Sequence, residues 1–361
     1  MVSRGDRVVI IGDGIVGLAV AMHCVARDRD VTLLSPGLAG AASPASAGML
    51  APSVERTQGA AQSFGDEARE AWTRFTTLVA ALGGEPFTFR RDGILRIALT
   101  EADEDRLRAS LGAGDQWLMP SEVRRREPAL GPLLGGALYG GDGLVDAPAC
   151  LASLATALAR SERVALVPER AASIEVRRSR VTVYTSEGTT VETSAAVLAA
   201  GAWCADLPGV PRTLPIRPVR GALLELGGAP LFNPVYANEG HGYLFPRGDS
   251  VMAGATSDEA GFDTTASARD TPRLLAGIIG LLPDAASRPI RRTLVGLRPM
   301  TPDRLPLLGP DPEAPGLIYA CGHGRNGFLH APLTGEVVCD LIEAKSPGPD
   351  LTPFRPSRFG R

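Results

Sequence analysis

Hydrophobic and polar positions fall into blocks of distinct period from the start of the chain. Arg7-Val-Val-Ile-Ile is strand-like, Leu18 to Ala26 repeats its apolar residues at helical spacing, and Val31-Thr-Leu-Leu34 predicts a second strand. Between the first two lies Gly12-Asp-Gly14-Ile-Val-Gly17. A glycine triplet set between strand and helix, in a βαβ unit of about 30 residues, reads as a dinucleotide-binding turn. Gly12 permits the tight turn, Gly14 lets backbone approach a pyrophosphate, and Gly17 lets helix pack on strand. The free N–H groups and positive end of the helix then face the phosphates.

One partner expected of such a turn is missing. An Asp or Glu at the end of the second strand ordinarily holds the ribose hydroxyls. Ser35 stands there, and the chain continues Pro36-Gly-Leu-Ala with no Arg to meet a 2′-phosphate. This unit alone leaves the dinucleotide class open.

Further along, Asp146-Ala-Pro148 predicts a helix to about Ala159, with Asp146 as N-cap and proline in the first turn. Strands are expected at Arg163–Val167, Ile174–Arg177, Val181–Thr185 and Ala195–Ala200, the last ending at Gly201-Ala-Trp203. The last part returns to a strand–glycine–helix pattern. Leu317-Ile-Tyr-Ala leads into Cys321-Gly-His-Gly-Arg-Asn-Gly327, then an apolar helix from Phe328 to Ile342 and a loose tail from Ser346. In contrast, residues 83–143 and 212–290 carry alternating runs between Gly/Pro turns, such as Gly221–Leu226 and Ser250–Gly254. The expected organisation is α/β, a Rossmann-like nucleotide-binding domain interleaved with a mostly antiparallel second domain. Residues 1–82, 144–211 and 291–361 are assigned to the first, and 83–143 and 212–290 to the second.

Composition narrows the chemistry. Of 37 Lys and Arg residues in 361, all but Lys345 are arginine. Schiff-base catalysis needs a lysine amine, and Lys345 lies in the polar segment Glu-Ala-Lys-Ser-Pro. A net charge of −3 gives no footprint for nucleic acid or an anionic membrane. No apolar stretch is long enough to span a bilayer, and no cleavable export signal opens the chain, so the cytoplasm is expected. The five cysteines (Cys24, Cys150, Cys204, Cys321, Cys339) are scattered and read as buried thiols. Four histidines (His23, His241, His323, His330) show no metal spacing, and no metal is expected.

Six segments stand in the order found in flavoenzymes of the D-amino-acid oxidase type. They are Ala45-Ser-Ala-Gly48-Met49-Leu-Ala-Pro52, Tyr243-Leu-Phe-Pro-Arg with Gly254-Ala-Thr256, Gly296-Leu-Arg298-Pro, Pro302-Asp-Arg-Leu-Pro306 and Gly322-His-Gly-Arg325-Asn326-Gly327. From Val8 to Ile342 the chain resembles this family, and most closely its glycine oxidases of thiamine-thiazole synthesis. The resemblance implies non-covalent FAD, oxidative deamination of a small amino acid or amine by hydride transfer, and O₂ reduced to H₂O₂. It implies a homo-oligomer as well.

Site residues follow from the resemblance. FAD would be held by Gly12, Gly14, Ile15, Val16 and Gly17, by Ser35 and Ser43, by Ala47, Gly48 and Met49, and by Gly201. Gly324, Arg325, Asn326, Gly327 and Phe328 would present N–H groups to the flavin edge. Arg298 matches the arginine that grips the substrate carboxylate with its planar fork, and Tyr243 the tyrosine that shares it. His241, two residues earlier, would face the same way on a strand, and Arg325 would line the pocket. The chain departs from the family at Pro44, Ser257 and Gly324, where bulkier side chains are common, and these losses would open the pocket to substrates larger than glycine. Sarcosine- or D-amino-acid-type oxidases of other substrate range, and a flavin dehydrogenase serving an electron carrier, are the alternatives. The lysine that sarcosine-type enzymes use toward oxygen has no counterpart near these segments.

Overall fold

Val8–Ile11, buried along its whole length, is the centre of a parallel sheet in the computed structural model, which describes residues 7–55, 57–177, 180–237 and 242–360. The strand order is 307–310, 317–321, 195–198, 8–11, 31–34, 164–167, parallel except for the hairpin pair at the 307–310 edge. Strands that read as near-continuous Val, Ile, Leu and Ala runs need cover on both faces. Both are covered. One face packs on helices, and the other on an antiparallel sheet of 171–177, 180–185 and 190–193 through Val9, Ile11, Val181 and Val183.

The helices are α1 (Ile15–Ala26), α2 (Ala60–Ala81), α3 (Glu101–Arg108), α4 (Pro120–Arg126), α5 (Ala147–Arg160), α6 (Asp270–Ile278) and α7 (Gly327–Ile342). Helices α1, α5 and α7 start within a few residues of the positions expected, and Asp146 caps α5 by accepting from Ala149 N at 3.1 Å. Helix α2 is an addition to the expected elements. It packs Phe64, Ala68, Trp72, Phe75 and Val79 into the core, and the Trp72 indole N–H donates to Phe328 O at 3.0 Å, tying α2 to the start of α7. The tail is not loose. Phe354 is buried, its ring 4.8 Å from that of Phe64.

A second sheet of eight strands runs 290–300, 217–227, 250–254, 243–247, 235–236, 94–98, 135–139, 116–118, antiparallel except where 235–236 meets 94–98. Its longest pairing joins 217–227 to 290–300, so Arg298 lies opposite Val219 in register. The alternating segments of 83–143 and 212–290 supply the other strands, together with α3, α4 and α6, which alternation did not reveal.

Candidate active site

The parallel sheet reverses its direction of winding beside strand 8–11, whose two neighbours are 31–34 and 195–198. Ligands of such sheets bind in the crevice at the carboxyl ends of the strands at this switch point. A cavity of about 130 Å³ lies there, lined by Gly12, Asp13, Gly14, Val16, Ala199 to Trp203 and Pro36. Its shape depends on missing β-carbons. One at Gly12, whose φ is +115, would lie 2.5 Å from Ala199 O, and one at Gly17 would lie 1.9 Å from Gly12 O. No acidic residue occupies the first turn of α1.

This crevice continues into a larger cavity of about 510 Å³, the two sharing Ile15, Ala42, Ser43, Gly324 and Gly327 in their walls. Ser43 Oγ accepts from Ile15 N at 3.0 Å and fixes the junction. A long cleft with a narrow glycine-walled end and a wide end fits a two-part cofactor. Ala47, Met49, Arg325, Asn326 and Phe328 line the wide part, and Gly201 the narrow one. Gly48 lines neither. Its φ is +73, and a β-carbon there would lie 2.0 Å from Val145 O, so strand pairing gives this glycine its reason. Ser35 also stays out of the cavity wall.

On the far wall of the wide cavity stand Arg298 and Tyr243. Arg298 Nη1 donates to Thr256 O at 3.2 Å, and among the described residues Arg298 makes no ion pair. Tyr243 stacks on Tyr236 with ring centres 5.6 Å apart. A β-carbon at Gly254 would meet the Tyr243 ring at 2.8 Å, so this glycine seats the tyrosine. Burial pushes the Tyr243 hydroxyl above its ordinary range against the pull of Arg298 and Arg325, and burial pushes Tyr236 up to about 12. Both hydroxyls are therefore protonated donors at neutral pH.

Glu55, which no sequence motif marks, faces the same cavity. One of its carboxyl oxygens lies 3.7 Å from Arg325 Nη1. Burial raises its pKa, while Arg325 and Arg298 act in the opposite direction. In turn Glu55 holds the Arg325 guanidinium above its usual pKa. Arg96 also lines the wall and donates to Val54 O at 3.0 Å. Four of the five lining charges are cationic, Arg96, Arg273, Arg298 and Arg325, so the cavity suits an anionic ligand.

The departures from the family pattern have unequal effects. Ser257 lines the cavity, but Pro44 is exposed outside it. Gly324 lines both cavities, yet a β-carbon there would come within 2.8 Å of Met300 Sδ, so methionine already fills much of that space. His241 lies outside the described residues. His23, His323 and His330 are buried in the α1–α7 region, and no group of metal-ligating side chains occurs among the described residues. All five thiols are free and buried. Lys345 sits on the surface after α7, pairing with Glu343 at 2.7 Å. No helix among the described residues is long and apolar enough to cross a membrane.

A switch-point crevice opening into a cationic chamber defines a dinucleotide-dependent enzyme of α/β architecture. The chain belongs to the DAO family, whose matching model is described as FAD dependent oxidoreductase and spans residues 7–341. It is 34% identical over 373 residues to the glycine oxidase of Geobacillus kaustophilus, covering 99% of this chain and 98% of that one. The crystal structure of glycine oxidase from the same organism superposes with a TM-score of 0.89 at 32% identity, covering 98% of both chains. The bifunctional protein ThiO/ThiG of Nostoc sp. is 33% identical over 97% of this chain, which spans 55% of that protein. FAD is accordingly the cofactor.

Proposed function

We propose that the chain oxidatively deaminates glycine or another small amino acid, passing a hydride to FAD and returning electrons to O₂ as H₂O₂. The observation that carries this reading is the Arg298 guanidinium, lining the cavity without an ion-pair partner among the described residues. A planar fork of donors is the complement of a carboxylate, and a bidentate pair fixes both position and orientation. The protonated Tyr243 hydroxyl is a second donor for the same group. With the carboxylate held there, the amine and α-carbon would lie in the chamber that Ala47 and Met49 also line.

Bound FAD supplies the hydride acceptor. The chain's own residues bind, orient and exclude water, and positioning contributes much of the rate. The α1 and α7 N-termini would lie toward the pyrophosphate and flavin edge, respectively, with Gly12, Gly14, Ile15, Val16 and Gly17 at the first and Gly324 to Phe328 at the second. The six-stranded sheet with its helices would form the FAD-binding part and the eight-stranded sheet the substrate wall. In that division, residues 290–300 serve the substrate wall, since they pair along 217–227. Relatives named glycine oxidase, at 34% and 31% identity, support glycine as the first substrate to test.

The test is an anaerobic screen of flavin bleaching with glycine, sarcosine, D-alanine, D-proline and simple amines. Amines bearing a carboxylate should bleach the flavin and amines lacking one should not. A flavin that no small amino acid reduces would overturn the reading. Bleaching without H₂O₂ release on admitting air would instead identify a dehydrogenase.

A further inference from the structure

The acid missing from the end of the second strand has a replacement nearby. Ser35 Oγ donates to Asp13 Oδ2 at 2.7 Å. Asp13 lines the crevice at the switch point, whereas Ser35 does not. The backbone is pinned at Ser35 and at the residue before Asp13, Ser35 N donating to Val167 O at 2.8 Å and Gly12 N to Leu34 O at 3.2 Å. Among the described residues Asp13 makes no ion pair, and Ser35 is its side-chain hydrogen-bond partner.

We propose that Asp13 is the acceptor for the adenosine ribose hydroxyls of FAD. The carboxylate has moved from the strand end into the glycine turn, and Ser35 holds it in place. A serine hydroxyl has one proton to donate, and here it is directed at Asp13. An ionised carboxylate offers about four acceptor positions, so one bond from Ser35 leaves room for two hydroxyls. Asp13 lies two residues before α1, whose positive end favours an anion there. That same helix end must also receive the pyrophosphate, which an unrestrained carboxylate would repel. Ser35 removes the conflict by drawing Asp13 toward the strand end. The arrangement selects a free diol, and a 2′-phosphate would be rejected by charge.

The inference rests on reading the glycine turn as the FAD site. Its test is FAD binding to protein stripped of flavin, followed by fluorescence quenching. D13N should weaken FAD about 10- to 100-fold, the loss of a charge-assisted bond to a ligand hydroxyl. S35A should weaken it less, and D13A/S35E, with the acid returned to the strand end, should come back to within about threefold of wild type. Wild-type protein should prefer FAD to its adenosine 2′-deoxy analogue by about tenfold, and D13N should lose that preference. D13N that binds FAD as wild type does, or keeps the same preference for the ribose, would overturn the proposal. Should D13N fail to fold, equal affinity of wild-type protein for FAD and the deoxy analogue overturns it equally well. Wild-type protein that bound no FAD would instead overturn the cofactor site itself, a separate result.

Discussion

Gly221 lies directly beneath the guanidinium of Arg298: a β-carbon built on it would stand 2.3 Å from Nη1. The two residues sit on paired strands, two positions apart in register. Because the obstructing atoms are the end of a flexible side chain, Gly221→Ala should leave the fold intact and push Arg298 off its carboxylate position. We expect KM for glycine to rise about tenfold with kcat changed less, since binding geometry is what is lost. Steady-state kinetics together with thermal unfolding would check both halves; a collapse in Tm with unaltered KM would contradict it.

Arg298→Ala removes the fork outright. KM for carboxylate substrates should rise by about two orders of magnitude or more. Arg298→Lys should recover only part of this, because a point charge cannot make the parallel pair of bonds. An unchanged KM in the alanine variant would refute the assigned role.

Glu55 opposes a bound carboxylate while neutralising Arg325. Glu55→Gln should therefore tighten competitive inhibition by a small carboxylate such as glycolate by about 3- to 10-fold. The gain should shrink as pH falls and the wild-type Glu55, whose pKa is raised, takes up its proton. Inhibition constants measured across pH on both proteins would show it. Equal constants throughout would mean that Glu55 does not act on the ligand.

The buried histidines set an acid limit on stability. His23, His323 and His330 are each pushed down to about 3 by burial, against 6.5 for an ordinary imidazole. Between these values the unfolded chain holds protons that the folded chain does not. Stability is thus complete above pH 6.5 and falls as pH drops toward 3, by up to about 1.4 kcal/mol per pH unit for each histidine. His323, which meets Thr334 Oγ1 at 3.1 Å, can be tested through H323Q. Urea unfolding at several pH values should give a shallower acid slope for the variant.

What the sequence disclosed follows from how local each signal is. The first turn, α5 and α7 are legible because apolar period, caps and glycines lie within a few residues of one another. Arg298 and Tyr243 are legible through their motifs, and the structure places them on one wall. Helix α2 carries a readable stripe at Phe64, Ala68, Trp72, Phe75 and Val79, but Gly59 gives it no side-chain cap and its first turn has no acid, so nothing marks its start. Phe354 could not be told from a loop residue, since only distant Phe64 gives it a place. Glu55 belongs to no motif and acquires meaning from Arg325, on the far side of the chain. Ser35 is legible as a missing acid, while its bond to Asp13, 22 residues away in the chain, arises only from the fold.

Lys345 follows Ala344, whose φ of +56 turns the chain out of α7, and its side chain is 65% exposed. Helix α7 has 16 residues, so about 24 Å separates this amine from the residues that open the helix at the cavity. An amine-directed reagent therefore finds a single lysine, at the end of the helix remote from the chemistry. Coupling through this lysine would hold the molecule by the far end of α7 and leave the mouth of the cavity unmodified.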